Sequence, residues 1–457
     1  RSNAAVARLA LLTKGQNAAI IVGAPYRDFD GRTYNVAFVL QDGKVKGAVP
    51  KTHLPNYAEF YEKRWFDSGL GVNRQVIDPV LGEFPLSPNL LFQSGSAIAG
   101  IEICEDGWAP ITPSSHLALA GANLIFNPSA SNELVGKADF RRELVKQNSA
   151  RLIAAYIYAS SGPTESTKDL VFGGHNLIYE DGSKLAESPR FQLAGSKLIA
   201  DVDVQKLLHE RQRNKTFGAQ RTSEKMQLVS LKNSSVLPEL VRTYAKSPFI
   251  PTNPDELASR AEDMLMIQAT GLARRLMASK SNAMVLGISG GLDSTLALLV
   301  AKEAAQILGW NMNQIIGVTM PGFGTTNGTK SAAYELMEAI GTTIKEVPIR
   351  DAVNQHFKDI EHDPNLHNNV YENAQARERT QILFDIANQH NGIVVGTGDM
   401  SELCLGWCTF NGDHMANYGV NASHFKTMVQ HEVRWYMQRK ASAALASALD
   451  KILNTEI

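Results

Sequence analysis

The chain reads as two α/β domains in series: a layered α/β domain over residues 1–204 and a doubly wound parallel-sheet domain over residues 256–457, joined by a connector at 205–255. Three observations carry this reading. A length of 457 residues exceeds one ordinary hydrophobic core. The first half repeats short apolar runs bounded by glycine, proline or Asp-Gly turns, whereas the second alternates strand-like with helix-like segments. Between them, a polar run reaches Ser235 and is followed by Pro248, Pro251 and Pro254, which mark a linker.

In the first half, strands are predicted at Ala18–Gly23, Thr33–Leu40, Val45–Pro50, Ser96–Ile103, Ala122–Asn127, Leu152–Ser160, Asn176–Tyr179 and Lys197–Val202. Helices fit Pro113–Ala120 and Asp139–Ala150. The tripeptides Gln41-Asp42-Gly43 and Glu180-Asp181-Gly182 have the chemistry of hairpin turns. Leu207–Arg213 reads as a charged helix opening the connector, and Leu257–Met277 as a long helix opening the second domain.

Beyond it, Met284, Val285, Leu286 and Ile288 lead into the loop Gly287-Ile288-Ser289-Gly290-Gly291-Leu292-Asp293-Ser294. Helical spacing then runs to Leu308. Strands at Ile315–Met320, Ile344–Ile349 and Ile393–Gly396 alternate with helices at Thr329–Ile340 and Arg377–His390. This repetition means a parallel sheet whose ligands lie outside the carboxyl ends of its strands.

The Ser289–Ser294 loop presents backbone N–H groups, unobstructed at its glycines, toward the positive end of a helix, which makes it a ready anion site. It is not the kinase-type phosphate loop, because no lysine follows the second glycine. Asp293 beside a phosphate cradle suggests a bridging Mg²⁺, a hard cation that takes one or two carboxylates plus phosphate oxygens. An ordinary glycine turn with a capping serine is the plainer alternative. At Val395-Gly396-Thr397-Gly398-Asp399-Met400-Ser401-Glu402 a strand again ends in glycines with a carboxylate one turn into a helix, and a capped helix start is again the plainer alternative. The loop Met320–Thr326 looks mobile. Cys404 and Cys408, four apart, are expected in the core.

In the first half, Cys104 ends an apolar strand within Gly100–Trp108, and Lys51 ends another in Pro50–Tyr57. A lone cysteine so placed is commonly a small core residue. Reactivity requires a base or cation nearby, which Lys51 could supply if the two strand ends converge. The aromatic group Phe60, Tyr61, Trp65 and Phe66 is expected to be packing.

Bulk composition excludes several classes. A formal charge of −1 gives no electrostatic case for nucleic acid or an anionic membrane. No apolar run approaches the roughly 20 residues of a membrane span. Three cysteines make neither a disulfide framework nor a zinc spacing, so a reducing cytoplasm is the expected home.

Three resemblances follow from these motifs. Ser-Gly-Gly-x-Asp-Ser resembles the pyrophosphate-binding loop of the ATP pyrophosphatases, which adenylate a carbonyl oxygen and let ammonia or sulfur displace AMP. Lys51 with Leu54-Pro55, and Cys104 within Cys-Glu-Asp, resemble the carbon–nitrogen hydrolase (nitrilase) superfamily and its Glu-Lys-Cys set, with one extra residue before Leu54. The resemblance implies a Cys104 thioester formed on glutamine, Lys51 at the oxyanion, and glutamine contacts at Tyr57, Ser131 and Lys137, the last where an arginine is common. It also implies a glutamate base upstream of the lysine. Residues 1–50 contain no glutamate, and an N-terminal segment is therefore expected to be missing.

The second half resembles NAD synthetases. Asn373 and Arg377 match deamido-NAD contacts, as does Glu402, which also matches a magnesium ligand beside Asp293. ATP contacts match the whole run from Gly287 to Ser294 and Met320, Thr397 and Lys426. Small ammonia-dependent members carry lysine and aspartate where this chain has Phe410 and Asn417. Taken together, the chain resembles the glutamine-dependent NAD synthetase family. That implies glutamine, ATP and deamido-NAD as substrates, Mg²⁺ as cofactor, a homo-oligomer, and a C-terminal tail beyond Ile457. Other ATP-dependent amidotransferases, a free-standing amidase and a non-catalytic nucleotide-binding scaffold are the alternatives.

Overall fold

The computed structural model describes residues 1–457 except 166–169, 234–238, 252, 324–326 and 455–457, together with the side chains of 327–330. The expected mobile loop Met320–Thr326 thus lies partly outside the described residues. Contacts divide the chain into two compact units, Arg1–Thr243 and Tyr244–Ile457.

In the first unit, helix α1 (Ser2–Leu12) precedes β1 (Ile20–Arg27), β2 (Thr33–Gln41) and β3 (Lys44–Pro50), followed by β4 (Arg74–Asp78), β5 (Gly82–Leu86), β6 (Leu90–Ser94) and β7 (Ala97–Ile101). Then come α2 (Pro113–Leu119), β8 (Leu124–Ser129), α3 (Lys137–Leu152), β9 (Ala155–Ser160), β10 (Leu177–Glu180) and β11 (Ser183–Glu187). Helices α4 (Val204–Arg213) and α5 (Lys215–Ala219) and strand β12 (Gln227–Ser230) complete it. Two sheets form, in the orders β1-β2-β3-β5-β4 and β11-β10-β9-β8-β7-β6-β12. Strand β12, from the stretch read as connector, pairs in parallel with β6.

The layering follows from alternation along β2. Val36, Phe38 and Leu40 face α1 through Val6 and Ala10, while Ala37 and Val39 meet Leu90, Phe92 and Ile101 of the other sheet. That second sheet buries Ile125, Tyr156 and Tyr158 with Leu117 and Val145 of α2 and α3. The result is four layers, helix, sheet, sheet, helix, with strand β2 buried on both faces over most of its length.

Both Asp-Gly hairpins form with two-residue turns. Asp42 and Gly43, and likewise Asp181 and Gly182, all take positive φ, the conformation that matches strand twist and favours this pair. Other expectations fail for identifiable reasons. Lys197–Val202 is not a strand, because Val202 packs on Ile153, Ala155 and Leu207 instead of pairing. Strand β9 starts at Ala155, not Leu152, because α3 runs to Leu152 and Ile153 turns the chain at φ +45. Strands β4, β5 and β6 escaped notice because Pro85, inside β5, reads as a breaker, although it pairs with Gln75.

The second unit runs α6 (Pro254–Ser279), β13 (Ala283–Gly287), α7 (Leu292–Leu308), β14 (Ile315–Thr319), α8 (Asn327–Ile340), β15 (Thr343–Glu346), α9 (Arg350–Asp359) and α10 (Asn369–Gln389). It continues with β16 (Gly392–Gly396), α11 (Met400–Leu405), β17 (Tyr418–Gly419), α12 (Lys426–Arg439) and α13 (Ala443–Leu453). Its sheet is parallel, in the order β15-β14-β13-β16-β17. Met284 and Leu286 of β13 face α6, α7 and α12, and Val285 faces α10. Strand order reverses between β13 and β16, so their carboxyl ends open the crevice in which such sheets bind ligands.

Candidate active sites

In the first unit, Lys51 leaves the end of β3 and Cys104 follows β7, on strands of different sheets. Asp106 fastens them together: its carboxylate accepts from Thr52 N at 3.2 Å, His53 N at 2.6 Å and Ile103 N at 2.9 Å. Burial pushes the Asp106 carboxyl up to about 6 against the pull of those amides. The predicted convergence of Lys51 and Cys104 is therefore present, and both line one cavity of about 590 Å³.

Lys51 is 3% exposed and pairs with Glu62, a partner sequence reasoning missed. Its eleven-residue offset is legible only after the Pro55–Trp65 segment folds back over the strand end. Removing one member of a buried pair strands the other charge. Glu62→Ala is thus expected to lower the unfolding free energy by on the order of 3 kcal/mol in a urea titration; an unchanged midpoint would show that Lys51 needs no partner.

Phe60, Tyr61 and Trp65 line the cavity, correcting their assignment to packing; Tyr61 and Trp65 are largely exposed. Tyr57 is not among the lining residues; its ring meets that of Phe60 edge to face at 5.7 Å, and its hydroxyl donates to Glu105 at 3.0 Å. Lys137 donates to Asn132 Oδ1 at 2.6 Å and lies 5.8 Å from the ring centres of Phe60 and Trp108. Burial pulls its pKa below the ordinary lysine value, and Arg141 adds to the effect.

Ser131 is buried, with its hydroxyl 3.3 Å from Arg141 Nη2. Arg141 is fully buried and also meets Glu133 at 3.0 Å and His175 Nδ1 at 2.9 Å. A guanidinium can only donate, so His175 Nδ1 accepts and its Nε2–H points at Glu187, 2.9 Å away. Burial holds His175 below its usual pKa. Burial alone would raise Glu187, but hydrogen bonds from His175, Lys184 and Arg142 bring it down to about 2. A depressed carboxylate stabilises the fold above its ordinary pKa of 4.5 and loses that contribution as pH falls toward 2. The difference in urea midpoint between wild type and Glu187→Gln is therefore expected to be full near neutrality and to close across that acid range.

In the second unit, the loop from Gly287 to Ser294 joins β13 to α7 at the strand-order reversal. Gly290 takes φ +84, a conformation that glycine adopts freely. Ser289 Oγ accepts from Gly291 N at 3.2 Å and lies 3.1 Å from Ser294 Oγ, while Ser294 Oγ donates to Gly291 O at 3.0 Å. The serines thus brace the turn, as a capping reading also foresees, and leave Gly287, Ile288, Ser289 and Ser294 lining a cavity of about 290 Å³ with Met320 and Thr397. Gly290, Gly291 and Leu292 shape the turn and the first residue of α7.

Asp293 pairs with Lys426, whose ammonium also lies 3.8 Å from Asp399. Asp399 caps α11: its Oδ1 accepts from Glu402 N at 2.8 Å and its own N–H donates to Glu402 at 3.2 Å. Burial raises the Glu402 pKa, and the negative charge of Asp293 raises it further. Asn421, fully buried, spans the two loops by donating to Asp293 O at 2.9 Å and Thr397 O at 3.0 Å. Asn421 is not singled out in the sequence, and Asp399 falls there within the capped helix start at Val395–Glu402.

Asn373 and Arg377 hold the 409–410 turn: Thr409 Oγ1 donates to Asn373 at 2.8 Å and Arg377 Nε donates to Phe410 O at 3.2 Å. Phe410 is exposed, and Asn417 accepts from Val394 N at 2.7 Å, extending the edge of β16. Cys404 and Cys408 are exposed, contrary to the core expectation, because α11 ends at Gly406 after six residues and buries no residue of its own.

Comparison with known proteins covers most of the chain. Residues 2–209 match the carbon-nitrogen hydrolase family and residues 266–438 the NAD synthase family. The glutamine-dependent NAD(+) synthetase of Mycobacterium leprae is 40% identical over 95% of this chain and 66% of its own length. That of Mycobacterium tuberculosis H37Rv is 40% identical over 96% and 67%. A solved glutamine-dependent NAD+ synthetase from Acinetobacter baumannii aligns at 22% identity and TM-score 0.41 over 98% of this chain and 72% of that one. The chain spans about two thirds of the length of the curated relatives it matches. The first unit is accordingly a nitrilase-like layered α/β fold and the second a doubly wound parallel sheet of the NAD synthase kind, and the chain belongs to the glutamine-dependent NAD(+) synthetase family.

Proposed function

We propose that the chain makes NAD from deamido-NAD, ATP and glutamine. The observation that carries this reading is the presence, in one chain of this family, of a Lys51–Cys104 cavity and a Ser-Gly-Gly loop braced beside Asp293, Lys426 and Glu402.

In the first cavity, Cys104 Sγ attacks the side-chain carboxamide carbon of glutamine. The C–N bond breaks, ammonia departs, and water then cleaves the thioester to glutamate and free thiol. The Lys51 ammonium stabilises the tetrahedral oxyanion. Tyr57, Ser131 and Lys137 surround the glutamine. The family places its general base upstream of the lysine, where residues 1–50 have no glutamate; among the described residues, the carboxylates lining this cavity are Glu59 and Glu62.

In the second unit, the nicotinate carboxylate of deamido-NAD attacks the α-phosphorus of ATP, pyrophosphate leaves, and ammonia displaces AMP from the acyl carbon. The loop amides from Gly287 to Ser294 hold phosphate, with Met320, Thr397 and Lys426 around the nucleotide and Asn373 and Arg377 on the acceptor.

The residues present fit Mg²⁺. Asp293 Oδ1 and Asp399 Oδ2 are buried without hydrogen-bond partners, and Glu402 faces further negative charge. Among the described residues no three side chains could hold a metal unaided, in keeping with an ion that also takes phosphate oxygens. Asp293 and Glu402 would hold it, and when bound it neutralises charge on the pyrophosphate. On the same reading the protein works as a cytoplasmic homo-oligomer; no helix among the described residues is long and apolar enough to cross a membrane.

The test is NAD formation from deamido-NAD and MgATP with glutamine or with ammonium. Product with both supports the reading. Absence of NAD with either, alongside ATP consumption on another carboxylic acceptor, would replace it.

A further inference from the structure

We propose that Asn127 is a positioning residue that fixes the backbone of Cys104 and so aims the thiol. Cys104 has φ +49, a left-handed conformation that side-chain-bearing residues adopt only when their surroundings impose it. The imposing group is identifiable. Cys104 N donates to Asn127 Oδ1 at 3.0 Å, and Asn127 Nδ2 lies 3.4 Å from Cys104 O. One amide side chain therefore brackets both polar groups of the residue that carries the nucleophile.

Asn127 is itself held. It is 1% exposed, on β8, which runs parallel to β7. Its Nδ2 donates to Tyr156 Oη at 3.0 Å, and that hydroxyl donates to the buried carboxyl of Glu102, which also accepts from Ser114 N at 2.9 Å. The chain of bonds runs Ser114, Glu102, Tyr156, Asn127, Cys104, with both ends on backbone. Space around it is closed as well: a Cβ on Gly107 would meet Tyr156 Oη at 2.6 Å and Asn127 Nδ2 at 2.8 Å, so only glycine lets the turn after Cys104 close on this network.

A buried asparagine with these bonds could serve stability alone. What argues for positioning is where they end: two of them land on the strained nucleophile, and none on solvent. Asn127→Ala frees Cys104 to relax from positive φ, moving Sγ relative to Lys51 without removing any group that lines the cavity.

This inference rests on the reading of Cys104 as the glutaminase nucleophile. With the full chain, Asn127→Ala is expected to lower kcat for glutamine hydrolysis by about tenfold to a hundredfold, with KM within about threefold and ammonium-dependent NAD formation unchanged. Tyr156→Phe, which keeps the ring and removes only the hydroxyl anchor, is expected to give a smaller loss in kcat with KM again held. Full kcat in both variants, or losses that appear only as a lower Tm, overturn the proposal. Alkylation of Cys104 by iodoacetamide, in a background with the exposed Cys404 and Cys408 changed to serine, separates the two ideas. If the wild type hydrolyses no glutamine, the nucleophile reading fails, yet alkylation about fivefold slower in Asn127→Ala supports the positioning role, and equal rates sink it.

Discussion

Replacing Cys104 by alanine is expected to lower glutamine-dependent NAD formation by at least about a thousandfold and to leave ammonium-dependent formation at the wild-type rate. Size and direction both follow from the chemistry. Among the described residues lining its cavity Cys104 alone carries a thiol that can form a thioester, and loss of a nucleophile is not made up by its neighbours. Ammonium added directly bypasses that step, and the groups proposed to act on ATP and deamido-NAD all lie within Gly287–Lys426, in the other compact unit. The measurement is initial rate at saturating MgATP and deamido-NAD, with each nitrogen source in turn. Equal loss with glutamine and ammonium would remove the two-site scheme. Full retention with glutamine would show that another residue releases the nitrogen.

How far the sequence carried the fold depended on what kind of signal each element left. The second unit was legible because strand and helix alternate, and a continuous apolar run ending near Gly287 gives way to helical spacing from Leu292. The Asp-Gly hairpins were legible because only a few residues accept two successive positive φ values. Strands β4 to β6 were not, since Pro85 and the short turns around Gly82 mask pairing that only the sheet reveals. Lys197–Val202 misled in the opposite direction: its apolar residues pack on a helix and strand without joining a ladder.

Site residues divide along similar lines. Cys104, Lys51 and the Ser289–Ser294 loop stand in compact motifs, so their types and spacing announce them. Glu62, Asn127 and Asn421 act across gaps of chain, through a charge or an amide brought back by the fold. Asn421 reaches Asp293 over 128 positions. No local pattern marks such a residue, because its role is defined by two partners that are neighbours only in space. The exposed aromatics at Tyr61 and Trp65 were misread for the same reason: composition reports that a ring wants burial, and only the fold shows that these two line a cavity and not the core.

Asp293→Asn is expected to lower NAD formation by about a hundredfold or more with either nitrogen source, while glutamine hydrolysis at Cys104 continues. Asp293 sits one residue into α7, pairs with Lys426 and leaves Oδ1 buried without a hydrogen bond. An amide of equal size keeps the packing but discards the charge that balances Lys426 and that would meet a divalent cation beside Glu402. A fall in Mg²⁺ affinity, read by titrating the metal at fixed ATP, should accompany the loss of rate. Gly290→Ala tests the backbone independently of any charge. At φ +84 an added Cβ costs about 1–2 kcal/mol, so the turn must distort or bind phosphate less well, raising KM for ATP with little change in that for ammonium. If Asp293→Asn loses activity with glutamine alone, the loop serves delivery of nitrogen and not activation of the carboxylate. If it loses both while Cys104→Ala loses one, the order of events follows: nitrogen is released in the first unit and consumed in the second.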